Sequence, residues 1–119
     1  MGRLSAFEEQ VFFALWQWPL GAVAGQVRQQ LPGPLPYTTL ASALHQLVGK
    51  GYAQCSKRGR LNWLVPSLSK EAYGMGQLAQ LVATCFHGSY PQFLAACVRQ
   101  ELLLPAHVAE PLGLVATRA

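Results

Sequence analysis

Apolar side chains recur at helical spacing in several short stretches, each bounded by proline or glycine. Val11, Phe12, Leu15 and Trp16 form the first stripe, and Pro19 closes it. Ser5-Ala6-Phe7-Glu8, just ahead, has the form of a capping box. The Ser5 hydroxyl can accept from the Glu8 amide, and the Glu8 carboxylate from the Ser5 amide. Leu20-Gly21-Ala22-Val23 has room only for a single edge strand. A second helix is expected from about Ala24 to Leu31, with Val27 and Leu31 inward, although no Ser, Thr or Asp opens it. Pro32-Gly33-Pro34 breaks it. Leu40, Leu44, Leu47 and Val48 mark a third helix, with Pro36 just ahead of it and Gly51 at its end.

Between those apolar positions stand Thr38, Thr39, Ser42, His45 and Gln46. They are expected to look outward, and their hydrogen-bonding side chains suit phosphates and base edges in a major groove. Gly51 to Ser56 then reads as a strand, Lys57-Arg58-Gly59-Arg60 as a turn with three cations, and Leu61 to Val65 as the return strand that Pro66 ends. Helices followed by a hairpin with a basic tip make a winged helix-turn-helix. From Ser69 onward the pattern is helical only. Ser69 can cap a helix running to about Phe86, with Leu78, Leu81, Val82, Cys85 and Phe86 as its stripe. His87-Gly88-Ser89 breaks that helix, and Phe93, Leu94, Cys97, Val98, Leu102 and Leu103 continue at helical spacing. Pro105 and Pro111 leave room for a short final helix at most. These helices lack a core of their own, and a symmetric partner chain is the economical cover for their stripes. The expected fold is therefore mainly α with a small β wing. A winged helix-turn-helix domain spans 1–67 and a helical dimerisation region spans 68–119.

Composition narrows the function. Of 119 residues, 51% are hydrophobic and only 12% charged, which supplies one compact core plus a modest extension and argues against disorder. The net charge of +4 is unevenly placed. Residues 1–66 hold Arg3, Arg28, Lys50, Lys57, Arg58 and Arg60 against Glu8 and Glu9, whereas residues 67–119 balance three cations with three glutamates. The front half thus carries the whole positive field, as a nucleic-acid-binding module needs. Aspartate is absent, which removes the commonest carboxylate of metal sites and catalytic triads. No glycine-rich phosphate loop and no nucleophile with an evident base occur, so no enzyme and no cofactor are expected. Cys55, Cys85 and Cys97 form no metal-ligand spacing, and no metal site is expected. Met1-Gly2-Arg3 leads straight into a helix cap and no apolar run spans a bilayer, so the expectation is a cytoplasmic chain without a membrane partner. Trp16 and Trp63 read as core aromatics, Trp18 as half exposed.

Several residues in this arrangement carry a resemblance. They are Leu4 to Glu8 with Leu15-Trp16, Gly21-Ala22-Val23 with Val27, and Tyr37-Thr38-Thr39-Leu40 with Leu44, Leu47, Val48, Lys50 and Gly51. Gly59-Arg60, Pro66, Ser69-Lys70-Glu71-Ala72, Leu81, Phe86, Gly88 and Ser89 extend it over roughly residues 4–104. The chain resembles the penicillinase repressor family, the BlaI/MecI/CopY group of bacterial transcriptional repressors. The resemblance implies a homodimer on a palindromic operator, with one recognition helix per half-site. It places Thr38 and Thr39 at the start of the helix that enters the groove, and Gly59-Arg60 in the wing. Four departures stand out. Thr38, His45 and Gln46 replace the lysines or arginines common on that helix, and the wing strand reads Asn62, Leu64, Val65 and Pro66 where the family is tyrosine-rich. The cysteine cluster of the copper-responsive members is missing. The β-lactam-responsive members are cleaved beside an asparagine in their helical region, whereas Asn62, the sole asparagine here, lies in the wing. Neither induction route transfers.

The candidate DNA contacts are Thr38, Thr39, Ser42, His45 and Gln46 on the third helix, Lys57, Arg58 and Arg60 on the wing, and Arg28 on the second helix. The candidate dimerisation residues are Leu78, Leu81, Val82, Phe86, Phe93, Leu94 and Val98. Expected partners are double-stranded DNA and a second copy of the chain, with a regulatory protein or ligand left open. The alternative is a winged-helix protein–protein interaction module that has lost DNA binding.

Overall fold

A computed structural model describes residues 2–104 and 106. The chain divides into two compact units, Met1–Tyr73 and Gly74–Ala119. The elements run α1 (Ala6–Leu15), α2 (Ala24–Gln29), α3 (Tyr37–Gly49), β1 (Ala53–Arg58), β2 (Leu61–Pro66), α4 (Lys70–Cys85) and α5 (Tyr90–Arg99). The division falls inside α4, after its first turn, because Tyr73 is buried in the first unit. The short final helix considered after Pro105 lies outside the described residues apart from Ala106.

The first unit is a mainly helical winged helix. α1 opens with the capping box: Glu8 N donates to Ser5 Oγ at 3.1 Å and Ser5 N to Glu8 Oε1 at 2.8 Å. Val11, Phe12 and Leu15 on α1, Val27 on α2, and Leu40 and Leu47 on α3 are fully buried against one another. Truncating such a leucine to alanine typically costs roughly 2–5 kcal/mol. α2 is shorter than expected, ending at Gln29 with Leu31 only half-buried. Its missing cap is replaced by Gln26, whose Oε1 accepts from Val23 N at 3.0 Å.

β1 and β2 form an antiparallel pair with Cys55 opposite Leu64, Lys57 opposite Asn62 and Arg58 opposite Leu61. The turn is therefore Gly59-Arg60 alone, and Lys57 and Arg58 belong to the strand rather than to a four-residue turn. Gly59 at φ 64 makes so tight a connection accessible. The expected edge strand at Leu20–Val23 reduces to one bridge, Ala22 with Leu64. Trp16 is half-buried against the core, where its Nε1 donates to the Leu68 carbonyl. Trp63 is not a core aromatic: it is half-buried on the outer face of the hairpin, opposite Ser56.

Ser69 Oγ caps the start of α4, still within the first unit, by accepting from Ala72 N; in the second unit Ser89 Oγ caps α5 by accepting from Gln92 N. Phe86 and Phe93 meet edge to face with centroids 5.4 Å apart, which ties the two helices together. Val82 is buried, while Leu78, Phe86, Phe93 and Cys97 are half-buried. Leu81, Leu94 and Val98 remain nearly half exposed, at 46%, 47% and 49%.

Candidate nucleic-acid interface

α3 buries Leu40, Ala43, Leu44 and Leu47 on one side, so the residues between them must point away from the core. Thr38, Thr39, Ser42, His45 and Gln46 are all exposed. They form a ridge between two grooves. On one flank, Thr38, Thr39, Ser42 and Gln46 line a groove shared with Ser5, Phe7 and Glu8 at the start of α1. On the other, Tyr37, Ala41, His45 and Val48 face Cys55, Asn62 and Leu64 of the hairpin across a groove of about 210 Å³. No side chain caps the N-terminus of α3, so its leading amides are not occupied by a neighbouring side chain.

Cations stand on the wing, on α2 and at the end of α3. Lys57 shares the hairpin face of Asn62 and Cys55, the face turned to α3. Arg60 stands in the turn, and Arg58 lies on the opposite face, its guanidinium 4.3 Å from the centroid of the Trp63 ring. Arg28 is exposed on α2, beside a groove that it lines with Gly33 and Pro34. Lys50 is different. Its Nζ donates to Glu8 Oε1 at 2.8 Å and to the Arg3 carbonyl at 2.7 Å, so its charge serves the fold. The Lys50 ammonium and then the Ser5 amide hold the Glu8 carboxyl below its ordinary range. Tyr73 shifts the opposite way: burial, and then the bond its hydroxyl donates to Glu9 at 2.5 Å, raise its pKa.

Residues 4–111 match the profile of the penicillinase repressor family. The chain belongs to that family. No curated protein matches its sequence. Membership in the penicillinase repressor family places the chain among transcriptional repressors rather than in an enzyme family. The family's winged helix-turn-helix is the architecture of the first unit.

Tyr37 and Asn62 also stand on this surface, though neither is among the candidates read from the sequence. Tyr37 is 55% exposed at the first position of α3, and Asn62 lines the same groove from the wing. An aromatic directly after the helix-opening proline was the available signal for Tyr37. For Asn62 the signal was strand alternation, which sets it on the face of Leu64. Cys55 lines this groove, while Cys85 is exposed in the second unit. Among the described residues no group of three or more His, Cys or Glu is placed to hold a metal ion, and no helix is long and apolar enough to cross a membrane.

Proposed function

We propose that this member of the penicillinase repressor family is a sequence-specific DNA-binding repressor that acts as a homodimer on a palindromic operator. The observation that carries this reading is the α3 ridge. Five hydrogen-bonding side chains stand exposed on one helix, and exposed cations stand on the wing and on α2. The ridge would enter the major groove, with Thr38, Thr39, Ser42, His45 and Gln46 reading base edges. Lys57, Arg58, Arg60 and Arg28 would hold phosphates beside it. In the second unit, Val82, Leu78, Phe86 and Phe93 would serve the unit's own packing, while exposed Leu81, Leu94 and Val98 would meet a second copy.

Two substitutions separate the roles. Arg60→Ala should weaken binding to every duplex alike and lower the salt slope by about 1. Thr39→Ala should cost about 1–3 kcal/mol on the preferred site and far less on random DNA. Unchanged binding in both variants would remove this surface from the account.

One observation favours a second reading, a protein–protein module on the same fold. The Lys50–Glu8 pair occupies the only cation at the end of α3, and no lysine or arginine lies within the helix itself. A surface of threonine, serine, histidine and glutamine would also suit a protein partner.

A further inference from the structure

A two-stranded hairpin alone is marginal in water, so the wing depends on what fastens it to the helical body. Besides the burial of Ala53 and Leu64 in the core, it is fastened by the loop between α1 and α2. Ala22 and Leu64 exchange two backbone hydrogen bonds, each 2.8 Å. One residue along, the Trp63 indole Nε1 donates to the Leu20 carbonyl at 3.1 Å. Gly21, between those two loop positions, has φ 119, and a Cβ there would overlap the indole. Glycine is thus required twice at this position, for its backbone angle and for the approach of the ring. Farther out, the Arg58 guanidinium lies 4.3 Å from the Trp63 ring centroid. Register explains the meeting: Ser56 faces Trp63 and Arg58 faces Leu61, which puts Arg58 and Trp63 on one face as diagonal neighbours.

We propose that Trp63 is a positioning residue for phosphate contact by the wing, setting the hairpin on the Leu20-Gly21 loop and holding the Arg58 guanidinium in place. This rests on the DNA-binding reading above. A long, exposed arginine loses side-chain freedom when a phosphate fixes it. Stacked on an indole, it has given up part of that freedom on folding, and its charge remains available at the guanidinium edge. The indole in turn is fixed at the body by a hydrogen bond and by a glycine that lets it sit close. The wing therefore presents Lys57 and Arg58 from opposite faces, with only Arg58 held by a ring.

The test is a salt titration of binding to a short random-sequence duplex, using the full chain. Arg58→Gln should lose roughly five- to tenfold in affinity at about 0.1 M salt, with the slope lowered by about 1. Trp63→Leu should lose the same slope, and the double variant should lose no more than either single one. Trp63→Phe keeps a ring for the guanidinium and should restore the slope, which a merely structural role for the indole would not produce. An unchanged slope in Arg58→Gln, or losses that add in the double variant, would overturn the proposal. Should Trp63→Leu fail to fold, Trp63→Met takes its place beside Trp63→Phe: a slope lowered as in Arg58→Gln by the former and kept by the latter supports the proposal, and any other pair overturns it. A wild-type chain that binds no duplex at any salt would defeat the DNA-binding reading as well. A wild-type chain with a steep slope that the variants leave intact would defeat the positioning role only.

Discussion

Glu8 joins three parts of the first unit through one carboxylate. It closes the capping box on Ser5, starts α1, and binds the ammonium of Lys50 at the end of α3. Its pKa lies below the ordinary 4.5 in the folded chain. The unfolded chain therefore binds the proton more readily. Stability from this group is complete above the ordinary carboxylate range and is lost as pH falls through the lowered folded pKa. Glu8→Gln should cost about 1 kcal/mol at neutral pH and flatten the acid limb of a stability-against-pH curve. Thermal melts at neutral and acid pH check this, and an unaltered acid limb would show that Glu8 is not the linked group. Half of this arrangement was legible in the sequence. Ser5 and Glu8 stand three residues apart, in a spacing that implies its own hydrogen bonds. The Lys50 partner lies 42 residues away, where no local pattern points to it. The same holds for Trp63, whose apolar neighbours read as core while its hydrogen bond reaches 43 residues back to Leu20.

Elements were legible to the extent that their periodicity is local. α3 runs from Tyr37 to Gly49 because leucines at helical spacing and the flanking proline and glycine all specify the same helix. The wing hairpin was legible as a hairpin, but its turn was not. A basic run looks like a loop, yet Gly59 allows a two-residue connection, so Lys57 and Arg58 continue the ladder and fall on opposite faces. That alternation decides which cation faces α3. α2 shows the reverse case, in which a side chain three residues into the helix substitutes for an absent cap. On α4 and α5, periodicity marked the apolar stripe without saying which members the unit covers for itself. Val82 is covered, while Leu94 and Val98 stand open one turn apart on α5. If those positions meet a second copy, Leu94→Lys with Val98→Lys should convert a dimer to a monomer in sedimentation equilibrium at micromolar concentration. The first unit's melting should remain. A wild-type chain that sediments as a monomer would contradict the dimer.

At the scale of the whole chain, the net positive charge lies in the front half of the sequence. Six of the nine lysines and arginines fall within residues 1–66. With Lys50 held by Glu8, Arg3, Arg28, Lys57, Arg58 and Arg60 remain in that stretch. The exposed apolar side chains of α4 and α5 belong to the second unit. The proposed homodimeric repressor would use both properties, a cationic reading surface and a means of pairing two of them on one operator. The most direct measurement of that claim is fluorescence-anisotropy binding to the DNA upstream of the protein's own gene, against random duplex, across a salt series. The expected result is tight binding to one upstream fragment, weaker binding to random DNA, and a steep fall of both affinities with salt. Weak binding of equal strength to the two duplexes would contradict it and move the α3 surface to a protein partner.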